Sequence, residues 1–343
     1  MTEVVGHRLH GWGEDPRWES WELPEPGPGE VLVEVEACSV GLTVLNCMNG
    51  ELDDSKDLLP LTPGHEVVGR VVAAGPGVTT PEPGRRVMAY FYLSCFACEA
   101  CLSGRESRCP RLAGWYGVHR DGGYASHSLL PAGNAVPVPD GLSAVDATVI
   151  PDAVATPVHV CRTRLGLGPG DRVVVVGAGG GVGIHMVQVA AACGARVAGV
   201  ERSEAKLGLV ERHGAIPVPS EGFADARVDI PGAEADAIID LVGSVESLRW
   251  SVSHLATGGR LCVLTTFRGV DLPLAPRALV FKEASVIGSR YASRAELIEA
   301  ARMVLDGQVR PVIGEVAAPP DVLDLHRKLR AGELMGRGAI AWE

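Results

Sequence analysis

The sequence predicts an α/β protein of two domains: a twisted, loop-rich β region, and a parallel sheet whose strands alternate with crossover helices. Three observations carry this. A length of 343 residues fits two domains better than one, at roughly 100 to 200 residues per domain. Hydrophobic residues make up 46% and charged residues 21%, so a sizeable core can form and wholesale disorder is excluded. Finally, the texture changes at Pro151, from short β-rich runs broken by Gly and Pro to strand and helix in alternation.

The elements follow in order. The turn-forming stretch 22–29 leads into 30–37, where Val31, Val33 and Val35 alternate with Leu32, Glu34 and Glu36, the period of a half-buried strand. Further short β runs stand at 67–73 and 86–91. After Pro151 come a strand at 172–176, a helix at 183–193, a strand at 196–200, a helix at 203–213, and strands at 237–241 and 260–264. This is the rhythm of a parallel sheet. A helix at 294–305 then precedes a final Gly-rich strand at 336–342. The 43 glycines and 24 prolines show no collagen-like period and point to many turns.

Lys and Arg number 31 against 42 Asp and Glu, a formal charge of -11 that opposes any sequence-independent grip on nucleic acid or anionic membranes. The first ten residues carry charges and no apolar core, and no run approaches the roughly 18 apolar residues of a spanning helix. A cytoplasmic protein with a small-molecule partner is expected. Nine cysteines, an odd count without a secretory signal, are expected to be reduced thiols, with any cluster on a metal.

Cys95, Cys98, Cys101 and Cys109 put four thiols within fifteen residues, a loop that can fold its sulfurs into the tetrahedron zinc prefers. With four sulfur ligands no position is left for water, so the ion is expected to be structural; an iron–sulfur cluster is the alternative. The apolar run 172–176 enters Gly177, Gly179, Gly180, Gly181, Val182 and Gly183, then an apolar helix. Glycines there let the backbone approach a pyrophosphate at a helix N-terminus, although Val182 breaks the strict G-x-G-x-x-G spacing. Glu201 ends the next strand, where it can accept from adenosine ribose hydroxyls and repel a 2′-phosphate. NAD(H) is therefore expected over NADP(H), while Arg202 and Arg227 soften the exclusion.

These two motifs, together with Pro63-Gly64-His65-Glu66-Val67-Val68-Gly69 and Gly288-Ser289, give the chain a resemblance over essentially its whole length. It resembles the zinc-containing alcohol dehydrogenases of the medium-chain dehydrogenase/reductase superfamily. The resemblance implies a GroES-like catalytic domain from 1–151 and 289–343, a Rossmann domain at 152–288, an active site in the cleft, and hydride transfer at nicotinamide C4. It also implies a homodimer or homotetramer, and adds Thr156 and Arg337 to the cofactor-binding set.

The family holds a catalytic zinc with a Cys after the first strands, the His of Gly-His-Glu, and a Cys or carboxylate near the start of the coenzyme domain. Aligned with that pattern, this sequence has Gly41 at the first ligand, Val44 in place of a supporting Asp, and Asp152 at the third ligand. Thr43 falls on the expected hydroxyl position, and His65 and Glu66 remain. Such a set could still bind zinc, but without the soft thiolate and the buttressing carboxylate a catalytic zinc is doubtful. Cys38 and Cys47 fall off register and read as small buried hydrophobes.

Without a Lewis acid the expected acceptor is intrinsically activated, a conjugated C=C, a C=N or a C=O, with Thr43, His65 or Tyr116 donating hydrogen bonds. Ordinary zinc-dependent alcohol/ketone chemistry is one alternative; a redox-silent NAD-binding sensor or non-redox catalyst is another. Trp115, Tyr116, Phe267 and Tyr291 are candidates for the pocket wall, and equally for the core or an interface.

Overall fold

Thr2–Arg8 (β1) and Arg17–Leu23 (β2) pair antiparallel along their whole length in the computed structural model of the chain. The structure describes residues 1–220, 234–266, 269–272 and 274–342. Arg227 and Phe267 lie outside them. The chain divides into two units: Met1–Asp152 with Ala292–Leu305 and Ile313–Glu343, and Ala153–Tyr291 with Asp306–Val312.

In the first unit the alternating run at 30–37 extends to Val40 as the eleven-residue strand β3 (Glu30–Val40). Around it stand β4 (Val67–Ala74), β5 (Arg86–Ala89), β6 (His127–Pro131) and β7 (Ala135–Pro137), joined from the far end of the sequence by β14 (Ile313–Ala317) and β15 (Arg337–Ala341). The sheet order is β14-β15-β3-β4-β5-β7, with β6 also on β3. Val31, Val33, Val35, Cys38 and Val40 of β3 meet Val67, Val71, Val87, Leu325 and Ile340 in one core. Each such aliphatic side chain contributes about 1.5–3 kcal/mol when fully buried.

The second unit holds β8 (Arg172–Val176), β9 (Arg196–Glu201), β10 (Ile216–Pro219), β11 (Ala235–Asp240), β12 (Leu255–Val263) and β13 (Ser285–Gly288). All pair parallel, in the order β10-β9-β8-β11-β12-β13. The β8 run Val173–Val176 is buried throughout, as befits a central strand covered on both faces. From β8 the chain winds outward through β9 and β10, then returns to β11 on the other side. That reversal marks where such sheets bind ligands, beyond the carboxyl ends of the strands. The segment Asp306–Val312 packs here because Gln188 accepts from Arg310 N–H at 2.7 Å and donates to its carbonyl at 3.0 Å, while Val312 N–H donates to His185 Nε2 at 3.1 Å. Among the described residues no helix is long and apolar enough to cross a membrane.

Candidate functional site

The four-cysteine loop closes on itself. Phe96 takes a left-handed conformation (φ 50°) between the first two cysteines, and Cys98 opens the short helix Glu99–Leu102, which carries Cys101. The sulfurs stand 3.4 Å (Cys98–Cys101), 3.5 Å (Cys95–Cys109), 3.8 Å (Cys98–Cys109) and 3.9 Å (Cys95–Cys101) apart. A zinc–sulfur bond of about 2.3 Å in a regular tetrahedron demands edges of about 3.8 Å, so the cage has the size of a zinc ion. The backbone N–H of Ala97 lowers the Cys95 thiol to about 6, while burial pushes the Cys101 thiol up to about 12. A cation among them is what would hold all four as thiolates.

The glycine loop leaves the end of β8 with Gly177 at φ +83°, a conformation L side chains avoid. A Cβ at Gly183 would strike the Gly177 carbonyl oxygen, and one at Gly179 would stand 2.5 Å from Lys206 Cβ and 2.8 Å from Glu201 Oε2. Only glycine permits this close turn onto the helix Gly183–Ala192. Glu201 braces it: Gly179 N–H donates to its Oε2 at 3.0 Å, and the N–H groups of Arg202 and Ser203 donate to its Oε1 at 2.8 and 3.2 Å. Gly180, Gly181 and Val182 complete the turn, so the bare loop has the glycine cradle, the helix N-terminus and the acidic residue that a dinucleotide requires.

The third cluster gathers at one end of β15, β3 and β4. Gly338 faces Val40 in the β15–β3 ladder, so one step further Arg337 stands opposite Gly41. Cys38 faces Val67 in the β3–β4 ladder, which brings Glu66 alongside, its carbonyl accepting from Ser39 N–H at 3.0 Å. Gly64 (φ +97°) forms the turn that presents His65, since a Cβ there would run into Tyr124 and Cys38. Arg337 Nη2 donates to Glu66 Oε1 at 3.2 Å and to Asp152 Oδ2 at 3.3 Å. Glu66 is fully buried and Arg337 only 3% exposed. Burial raises the Glu66 carboxyl, a shift the Arg337 charge opposes and the Asp152 charge reinforces. Removing the guanidinium alone would break a buried ion pair, a change that costs about 3–5 kcal/mol.

A Cβ at Gly41 would fall on Arg337 Nη1, with Cζ 2.5 Å away. The guanidinium thus fills the volume of a side chain at position 41. The buried His65 Nε2 has no hydrogen-bond partner; Asp152 Oδ2 lies 3.5 Å from it, and the Phe91 ring packs against the imidazole at 4.6 Å between centroids. Among the described residues, the four cysteines are the one set of three or more His, Cys, Asp or Glu whose ligand atoms all lie within 4.8 Å of one another. Sequence reading missed both the Gly41–Arg337 contact and Phe91; the first follows from the strand register at the end of β15, which only the fold supplies.

Thr43 lies half-buried in the first turn of the helix Leu42–Met48, two residues past Gly41, and Val44 points into the core. Thr156 is buried in the second unit, where the Arg202 side chain is exposed. Cys38 is enclosed, and burial lifts the Cys47 thiol to about 12, as expected of packing residues. Tyr116 is a correction: it is buried, its hydroxyl donates to Ser128 at 2.7 Å, and it belongs to the core of the first unit rather than to a substrate wall. Trp115 stacks on Phe91, and Tyr291 is buried in the second unit with φ 52°.

Residues 27–140 match the alcohol dehydrogenase GroES-like domain, and residues 181–306 match the zinc-binding dehydrogenase domain. An alcohol dehydrogenase of Geobacillus stearothermophilus is 33% identical over 92% of this chain and 93% of its own. The chain belongs to the zinc-type alcohol dehydrogenase family. It is a medium-chain NAD(P)-dependent oxidoreductase. An acryloyl-coenzyme A reductase of Metallosphaera sedula is 31% identical over 84% of this chain and 85% of its own. The solved structure of a thermostable alcohol dehydrogenase from Pyrobaculum aerophilum superposes with a TM-score of 0.90 at 30% identity, covering 99% of this chain and all of that one.

Proposed function

We propose that the protein uses NADH to reduce an activated double bond of a small molecule, first among them a C=C conjugated to a carbonyl, in a pocket that has no catalytic zinc. The observation that carries the reading is the Gly41–Arg337 contact: position 41 offers no thiolate, and a guanidinium fills the space where one would reach. The kinship with acryloyl-coenzyme A reductases supports a conjugated thioester as acceptor. The bound nicotinamide supplies a hydride. What this chain supplies is orientation and charge.

His65 Nε2 and the Thr43 hydroxyl donate to the carbonyl oxygen of the acceptor, where negative charge gathers as the carbon β to it takes the hydride. A proton from solvent water then forms the C–H bond at the α carbon and completes the product. Arg337 keeps Glu66 and Asp152 charge-paired beside them, and Phe91 fixes the imidazole plane. Glu201 selects NADH through its carboxylate, and the four cysteines hold one structural zinc.

A plain secondary alcohol lacks the activating conjugation, and the absent Lewis acid would have supplied several kcal/mol. The test follows NADH oxidation with short 2-enoyl thioesters and enones, and NAD reduction with secondary alcohols. We expect enoyl turnover that depends on His65, with kcat/KM for alcohols at least about a hundredfold lower, the equivalent of roughly 2.7 kcal/mol. Fast oxidation of a secondary alcohol that a chelator abolishes would return the protein to zinc-dependent alcohol/ketone chemistry.

A further inference from the structure

We propose that the Arg337 guanidinium is the resident cation of this pocket and that it shuts a second zinc out. The inference rests on the reading that the pocket works without a catalytic metal, but it concerns what fills the site rather than what is reduced there. Space comes first. A side chain at position 41 and the Arg337 guanidinium claim the same volume, Nη1 overlapping the Cβ position and Cζ 2.5 Å from it. A thiolate at 41 and this arginine rotamer are mutually exclusive.

Charge comes second. A divalent ion draws carboxylates by neutralising them, and Nη2 already donates to both Glu66 Oε1 and Asp152 Oδ2, at 3.2 and 3.3 Å. The buried Arg337 Nε has no hydrogen-bond partner. The group is therefore held by its two carboxylates and by the room at Gly41, and not by a full set of donors satisfied elsewhere.

Position comes third. The antiparallel β15–β3 register sets residue 337 opposite residue 41, so loss of the side chain at 41 opens space directly facing the first residue of β15. One glycine and one arginine together replace a thiolate and a metal. Arg337 is a positioning residue in this scheme: it fixes the two carboxylates, and through Asp152 the surroundings of His65.

The test counts zinc per chain after incubation with excess zinc sulfate and desalting. The wild-type protein should retain one zinc; retention of two would overturn the proposal. Gly41→Cys alone should stay at one zinc and melt at lower temperature, because the new Sγ and the guanidinium collide; two zincs there would also overturn it. Gly41→Cys combined with Arg337→Ala should rise from one zinc to two, since a thiolate, His65 and the released carboxylates then form a mixed donor set. A folded double variant that stays at one zinc would overturn it, and the wild-type count stands whether or not that variant folds. A metal count as expected, alongside failure to reduce any enoyl thioester, would support this inference while rejecting the proposed reaction.

Discussion

Glu201 braces the glycine loop, and the proposed function gives its carboxylate a second purpose that substitution can separate. Its oxygens accept from the backbone of Gly179, Arg202 and Ser203, so it ties the glycine loop to the turn after β9; in the proposed reading its charge also repels a 2′-phosphate. Glu201→Gln keeps one oxygen acceptor and loses the charge. We expect the ratio of NADH to NADPH affinity to fall about tenfold in that variant, close to 1.4 kcal/mol, mostly through tighter NADPH. Titration of cofactor fluorescence measures it; wild-type protein that binds NADPH as tightly as NADH contradicts the assignment. At this same scale Arg337 shows where reading by residue type reaches its limit. It lies 271 residues from Glu66, and nothing local to 337 announces that its guanidinium turns toward Gly41, Glu66 and Asp152. The resemblance places it in the cofactor-binding set; the fold brings it beside Glu66 and Asp152, because β15 joins β3.

Elements differ in how openly their sequence declares them. The strand Arg172–Val176 and the helix Arg294–Leu305 have the bounds their residue patterns imply, the first being an unbroken run of valines that ends at a glycine and the second an amphipathic run buried on one face. By contrast β10, β13 and β14 escape, being four or five residues long and edge or near-edge strands whose identity depends on their partners. The cysteine loop is legible for the opposite reason, because all four ligands lie within fifteen residues and local chain geometry alone can gather them. That loop should depend on its ion. Cys98→Ser should release the zinc and lower the melting temperature by several degrees, at about 2–4 °C per kcal/mol for a chain with domains of this size. Limited proteolysis should then cut between Cys95 and Cys109. Retention of zinc by that variant, or a wild-type protein free of zinc, contradicts the site.

Across the whole molecule the two units divide the chemistry. The second contains the glycine cradle and Glu201 at the carboxyl ends of a parallel sheet, and the first contains the cysteine loop together with the His65, Glu66, Asp152 and Arg337 cluster. One metal position is built by a contiguous loop and has the dimensions of a tetrahedral zinc. The other position, where the family places a catalytic zinc, has a guanidinium bound to its carboxylates and no thiolate. That Gly41 and Val44 stand where the family pattern expects a ligand and its support could be read from the sequence; the contact of Arg337 with Gly41 could not, since it requires three strands to be in register. The measurement that bears most directly on a metal-free pocket is anomalous diffraction at the zinc edge from crystals of the wild-type protein. One peak per chain is expected, enclosed by Cys95, Cys98, Cys101 and Cys109; a second peak within bonding distance of His65 and Asp152 would contradict the pocket described here and the chemistry proposed for it.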